Sequence, residues 1–119
     1  MILVDSSLLA AYAIIEDFHN QRSKEVWRDI FDGKHGKPLL PHEIFAETIT
    51  VVFVRTKSVG VASAFAKTLR ACCEIIFSDE AISLLALEIF SSQKNTRLSF
   101  ADCILIAFSK KLGVEKIAT

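Results

Sequence analysis

The chain has 119 residues, 51% of them hydrophobic, with 14 basic and 14 acidic side chains and no net formal charge. That length suits one domain, 1–119, with a core that needs no disulfide or metal staples. The neutral balance excludes the whole-protein basic field of a typical nucleic-acid binder, no run of 18 apolar residues reads as a membrane span, and no basic segment precedes the first apolar residues as in a signal peptide.

These bounds predict a cytoplasmic protein, and the high apolar content predicts a surface patch covered by a partner or a second copy. The three cysteines, Cys72, Cys73 and Cys103, lack C-x-x-C spacing and zinc-site histidines. They read as small apolar residues in a reducing compartment.

In chain order, residues 2–4 read as a short buried strand. "SLLAAYAII" can be helical, "EDFHNQ" breaks the pattern, and "RSKEVWRDIFD" is a second helical stretch with Val26, Trp27, Ile30 and Phe31 at core spacing. "GKHGKP" is a loop, and "LLP" is a second strand whose Pro41 suits the first turn of the next helix. Residues 42–57 form a long helix despite the β-branched run at 49–54. "VGVASAFAKTLRACC" is helical and "EIIF" is a strand. "SDEAISLLALEIFSSQK" is a helix capped by Ser78 or Asp79, and "NTR" is a turn. "LSFADCILIAFSKKLG" is a helix stopped by Gly113, and "VEKIAT" is a final strand. Strands alternating with helical crossovers predict an α/β fold with a parallel sheet covered on both faces.

Three carboxylates stand at the ends or edges of these core elements. Asp5 follows the first strand directly, and a carboxylate at the rim of a core is costly unless something compensates it. Asp5, Ser6 or Ser7 can cap the following helix, and for Asp5 alone the cap is the simpler account. Glu47 shares a narrow helical seam with Glu43, Thr50 and Lys57, interrupted by Val54. A solvent stripe and a cleft lining fit that seam equally well. Asp102 completes a capping box with Ser99 in outline, at the start of a helix apolar on nearly every side, which marks a central element. Gathered carboxylates repel one another and call for a cation. Oxygen-only ligands point to Mg2+ or Mn2+ and away from zinc.

The ordered segments "MILVDSSLL", "HEIFAETITVV", "LSFADCILIAFSKKLG" and "VEKIAT" resemble the PIN domain, most closely the VapC-like toxin ribonucleases of prokaryotic toxin–antitoxin pairs, over essentially the whole chain. The resemblance implies a PIN-like α/β fold, with a central parallel sheet of about four strands and helices on both faces. It implies an acidic site that binds Mg2+ or Mn2+ and cuts single-stranded RNA. Matched by motif, Asp5, Glu47 (in "FAET") and Asp102 (in "SFADC") are the catalytic and metal-binding acids. Ser6 matches the hydroxyl residue after the first acid, and Ser99 is a second supporting hydroxyl. PIN domains commonly carry a further Asp just after the last strand's "AT". This chain stops at Thr119, so its C-terminal end reads as truncated there.

Lys94 and Arg97 lie just ahead of Asp102 and can hold an RNA phosphate, although solvated turn residues are the commoner reading. His19 and Trp27 read as structural. The expected partners are the RNA, a second copy in a homodimer and an antitoxin whose apolar segment fills a groove. The competing reading is a catalytically incomplete PIN-like domain acting as an RNA-binding or assembly module. A phosphoryl-transfer domain with an Asp nucleophile fits less well, because position 7 is Ser7 where a second Asp would stand.

Overall fold

The computed structural model describes residues 2–5 and 38–118. The helices expected at 7–15 and 22–32, most of the loop at 33–38, and Ser6, His19 and Trp27 lie outside the described residues. Within them the chain runs β1 (Ile2–Val4), β2 (Pro38–Pro41), α1 (His42–Thr56), α2 (Val59–Cys72), β3 (Glu74–Ile76), α3 (Glu80–Ser91), α4 (Phe100–Leu112) and β4 (Ile117–Ala118). Pro38, expected at the end of a loop, opens β2.

The four strands form one parallel sheet in the order β3-β2-β1-β4. Alternation along each short strand divides its side chains between two faces. Ile2, Val4, Leu40 and Ile75 pack on one side with Ile44, Phe45 and Leu69 of α1 and α2. Leu3, Leu39 and Ile76 pack on the other with Ile82 and Ala86 of α3 and with Ile104 and Phe108 of α4. Helices therefore cover both faces, as the alternating pattern requires. Strands buried on both sides are apolar at every position, and β1 and β2 contain no polar residue.

The chain moves outward from β1 through β2 to β3, then returns across the sheet to place β4 on the other side of β1. Loops at such a reversal leave for opposite faces and open a crevice beyond the carboxyl ends of the strands.

Several local expectations change. Pro41 is the last residue of β2 and precedes the first turn of α1; its φ of −59° and ψ of 138° suit an extended residue. α1 stops at Thr56, and Lys57 takes a left-handed conformation (φ 55°) while its N–H bonds the Phe53 carbonyl at 2.8 Å. Lys57 thus leaves the helical seam it was expected to share. Phe53 and Val54 are exposed, whereas Thr48 is fully buried. Its hydroxyl donates to the Ile44 carbonyl at 2.7 Å, which satisfies the buried group within the helix itself. α3 is capped by Asp79, whose Oδ1 accepts from the Ile82 N–H at 2.9 Å.

Cys73 and Cys103 are buried as expected, but Cys72 lies on the surface. The expected apolar surplus shows on the outside too, with Leu84, Leu87 and Phe90 of α3 among the exposed large side chains. No helix among the described residues is long and apolar enough to cross a membrane.

Candidate active site

Three segments deliver acids to the carboxyl edge of the sheet. Asp5 follows the last residue of β1 and is half-buried. α1 leaves β2 without an intervening loop, so Glu47 stands in its second turn, close to the same edge. α4 must end where β4 begins, at the amino edge, so it starts at the carboxyl edge with Asp102 in its first turn. Ala101 touches the hydrophobic cluster on the α1 face while its neighbour Cys103 belongs to the opposite one, so the start of α4 bridges the two layers.

The capping box is complete. The Asp102 N–H donates to Ser99 Oγ at 3.1 Å, and the Ser99 N–H donates to Asp102 Oδ2 at 2.9 Å. Asp102 is held by its own helix end, so cap and site residue are compatible roles for one side chain.

Electrostatics links the three acids. Partial burial of the Glu47 carboxyl raises its proton affinity above the ordinary carboxylate value, and the negative charges of Asp102 and then Asp5 raise it further. Glu47 as a residue is exposed, so water screens part of these effects. Burial, and then Asp102, push the Cys103 thiol up as well. Burial, with Cys72 adjacent, pushes Cys73 to about 12. Both shifts favour the protonated thiol, which makes the two cysteines poor nucleophiles near neutral pH.

Among the described residues no three His, Cys, Asp or Glu side chains form a ready-made ligand cluster. The donor chemistry still suits Mg2+ or Mn2+. Mg2+ keeps several of its waters and binds through one or two carboxylates with substrate phosphate, not in an all-protein cage. Acids that raise one another's proton affinity gain from a hard cation between them.

The profile of the PIN domain family matches residues 2–119. This chain belongs to the PIN domain family. No curated protein matches it in sequence. Among solved structures, the PIN fold seen here resembles that of VapC20 of Mycobacterium tuberculosis, a sarcin–ricin-loop-cleaving toxin. The two are 22% identical, the likeness covers 100% of this chain and 89% of the other, and the TM-score is 0.87.

Elsewhere on this PIN domain, Lys94 and Arg97 are exposed in the connection between α3 and α4. That connection is tied together by Gln93, a residue no sequence pattern singles out. Its Oε1 accepts from the Leu98 N–H and the Thr96 hydroxyl, both at 2.8 Å, and its Nε2 donates to the Leu98 carbonyl at 3.1 Å. Two further contacts join the segments after β2 and β3. Ser78 Oγ donates to Glu43 Oε2 at 2.7 Å, and the His42 ring stacks on Phe77. Glu43 thus leaves the polar seam it was expected to share with Glu47 and serves the β3–α3 junction.

Proposed function

We propose that this PIN domain protein is a VapC-like toxin, a Mg2+- or Mn2+-dependent endoribonuclease that hydrolyses phosphodiester bonds of single-stranded RNA in the cytoplasm. The observation that carries the reading is the raised proton affinity of Glu47 in the company of Asp102 and Asp5, at the carboxyl edge of a parallel sheet.

In this reading Asp5, Glu47 and Asp102 hold the ion, with Ser99 fixing Asp102 and Ser6 supporting Asp5. When bound, the divalent ion supplies charge neutralisation for the scissile phosphate and a more acidic water. Carboxylates at such a site serve as ligands of the ion or as the base that accepts a proton from the attacking water. Lys94 and Arg97, on the stapled connection leading into Asp102, steer the RNA backbone. Phosphate contacts of this kind place the strand without reading its sequence. The exposed apolar residues of α3 support a homodimer and a groove for an antitoxin segment.

The test is cleavage of a labelled single-stranded RNA beside its duplex, in Mg2+, in Mn2+ and in chelator. Cleavage confined to the single strand and abolished by chelator is expected. Binding without cleavage in either metal would instead favour an RNA-binding or assembly module.

A further inference from the structure

Phe77 is an aromatic side chain 67% exposed on a small protein. Its ring is not loose. It stacks on His42, with ring centroids 5.0 Å apart and an interplanar angle of 24°. His42 is itself exposed and also leans on Phe45, at 6.1 Å between centroids. One hydrogen bond ties the two segments together, because Ser78, next after Phe77, donates to Glu43, next after His42, at 2.7 Å. One face of the Phe77 ring is thus occupied and fixed, and the side chain still presents most of its surface to solvent.

The place of this pair in the sheet gives it a role. Pro41 and Ile76 are register partners at the ends of β2 and β3, so His42 and Phe77 are the next residues out from one row. The β1–β2 register pairs Leu3 with Leu39, and two residues further along it brings Asp5 level with Pro41. His42 and Phe77 therefore come one residue after the row that contains Asp5, His42 following β2, which adjoins β1, and Phe77 following β3, the next strand out. With strands spaced about 4.8 Å apart, the lateral offset from Asp5 to Phe77 is about 10 Å.

We propose that the His42–Phe77 stack is a base platform for the RNA strand, seating an unpaired base beside the phosphate held at the acids. The proposal rests on the ribonuclease reading and deepens it. Aromatic rings receive splayed bases of single-stranded RNA by stacking, a contact open to any base because every base has a π-face. Bases inside a duplex are already stacked on one another and cannot reach the ring. The platform thus gives this site a physical reason to select single strands without a net basic charge on the chain.

The test is the dissociation constant of a fluorescein-labelled 2′-O-methyl oligonucleotide, checked to be intact at the end of each titration. It is measured as single strand and as duplex with the full chain in Mg2+. Phe77→Leu keeps apolar bulk and removes the ring; Phe77→Trp keeps a ring. The platform predicts single-strand binding weakened about ten- to a hundredfold by Phe77→Leu and retained by Phe77→Trp. An abasic residue at the stacked position should weaken the wild type by a similar factor and leave Phe77→Leu no weaker than before. Equal single-strand affinity of wild type and Phe77→Leu would overturn the platform. So would a Phe77→Leu effect confined to the mass of the assembly, which would assign the ring to an interface between proteins. A wild type that cleaves RNA but ignores Phe77 overturns the platform alone. A wild type that binds through Phe77 without cleaving overturns only the ribonuclease reading.

Discussion

Glu47 concentrates the electrostatic tension of the site. Its carboxyl takes up a proton more readily in the folded chain than at its ordinary value of 4.5. A group whose folded value is raised adds stability that is complete below the unfolded value and is lost as pH rises through the folded one. At neutral pH, ionised Glu47 therefore works against the metal-free fold. Glu47→Gln is expected to raise the melting temperature of the metal-free protein at neutral pH, and the difference should close as pH falls below 4.5. Thermal melts in chelator across that range check both sign and window. With Mg2+ the order should reverse, because the wild type gains binding free energy that the variant forgoes. The thiols provide a second check at this scale. Cys72 is exposed, Cys73 and Cys103 are buried, and Cys73 titrates only near 12. Titration of the native protein with a thiol reagent should modify Cys72 promptly and the other two only on unfolding.

Two helix ends carry measurable stability, both on α4. Ser99→Ala removes the hydroxyl that accepts from the Asp102 N–H and should cost about 1 kcal/mol in urea unfolding. Gly113 caps the other end at φ 66°, with open space where a side chain would point. Gly113→Ala therefore meets no clash, and its expected loss of about 1 kcal/mol comes from the left-handed backbone alone. Both ends were legible in the sequence, because Ser-x-x-Asp and a glycine after the last lysines are local signals. Lys57 was not legible: it adopts the same left-handed cap without glycine, and its residue type gives no sign of it. Thr48 is buried and Phe53 exposed, against the ordinary preference of each residue type, for a related reason. A threonine that satisfies its hydroxyl on its own helix can be buried, and only the packing of α1 on α2 decides which apolar residues stay outside. Strands β1 and β2 showed in the sequence as apolar runs closed by Asp5 and Pro41. The contacts of Phe77 with His42 and of Ser78 with Glu43 join distant segments, so no local pattern could announce them.

For the whole molecule, topology explains why segments far apart in sequence bring their acids to one edge of the sheet. The reversal of strand order puts β1 between β2 and β4, so the residue after β1, the second turn of α1 and the first turn of α4 share one edge. The apolar side chains left outside, Leu84 and Leu87 of α3 among them, predict association. Light scattering at micromolar concentration should give the mass of a homodimer, and a monomer throughout would count against that surface as an interface. In the proposed function Asp5, Glu47 and Asp102 form one metal-dependent nuclease site. The most direct measurement is RNA cleavage in Mg2+ by the wild type, Asp5→Asn, Glu47→Gln and Asp102→Asn, each first shown to be folded. Cleavage by the wild type and its loss in all three variants are expected, with melting temperatures in chelator equal to or above that of the wild type. A folded Asp102→Asn protein that melts lower without metal and still cleaves RNA would rule out a catalytic role for Asp102.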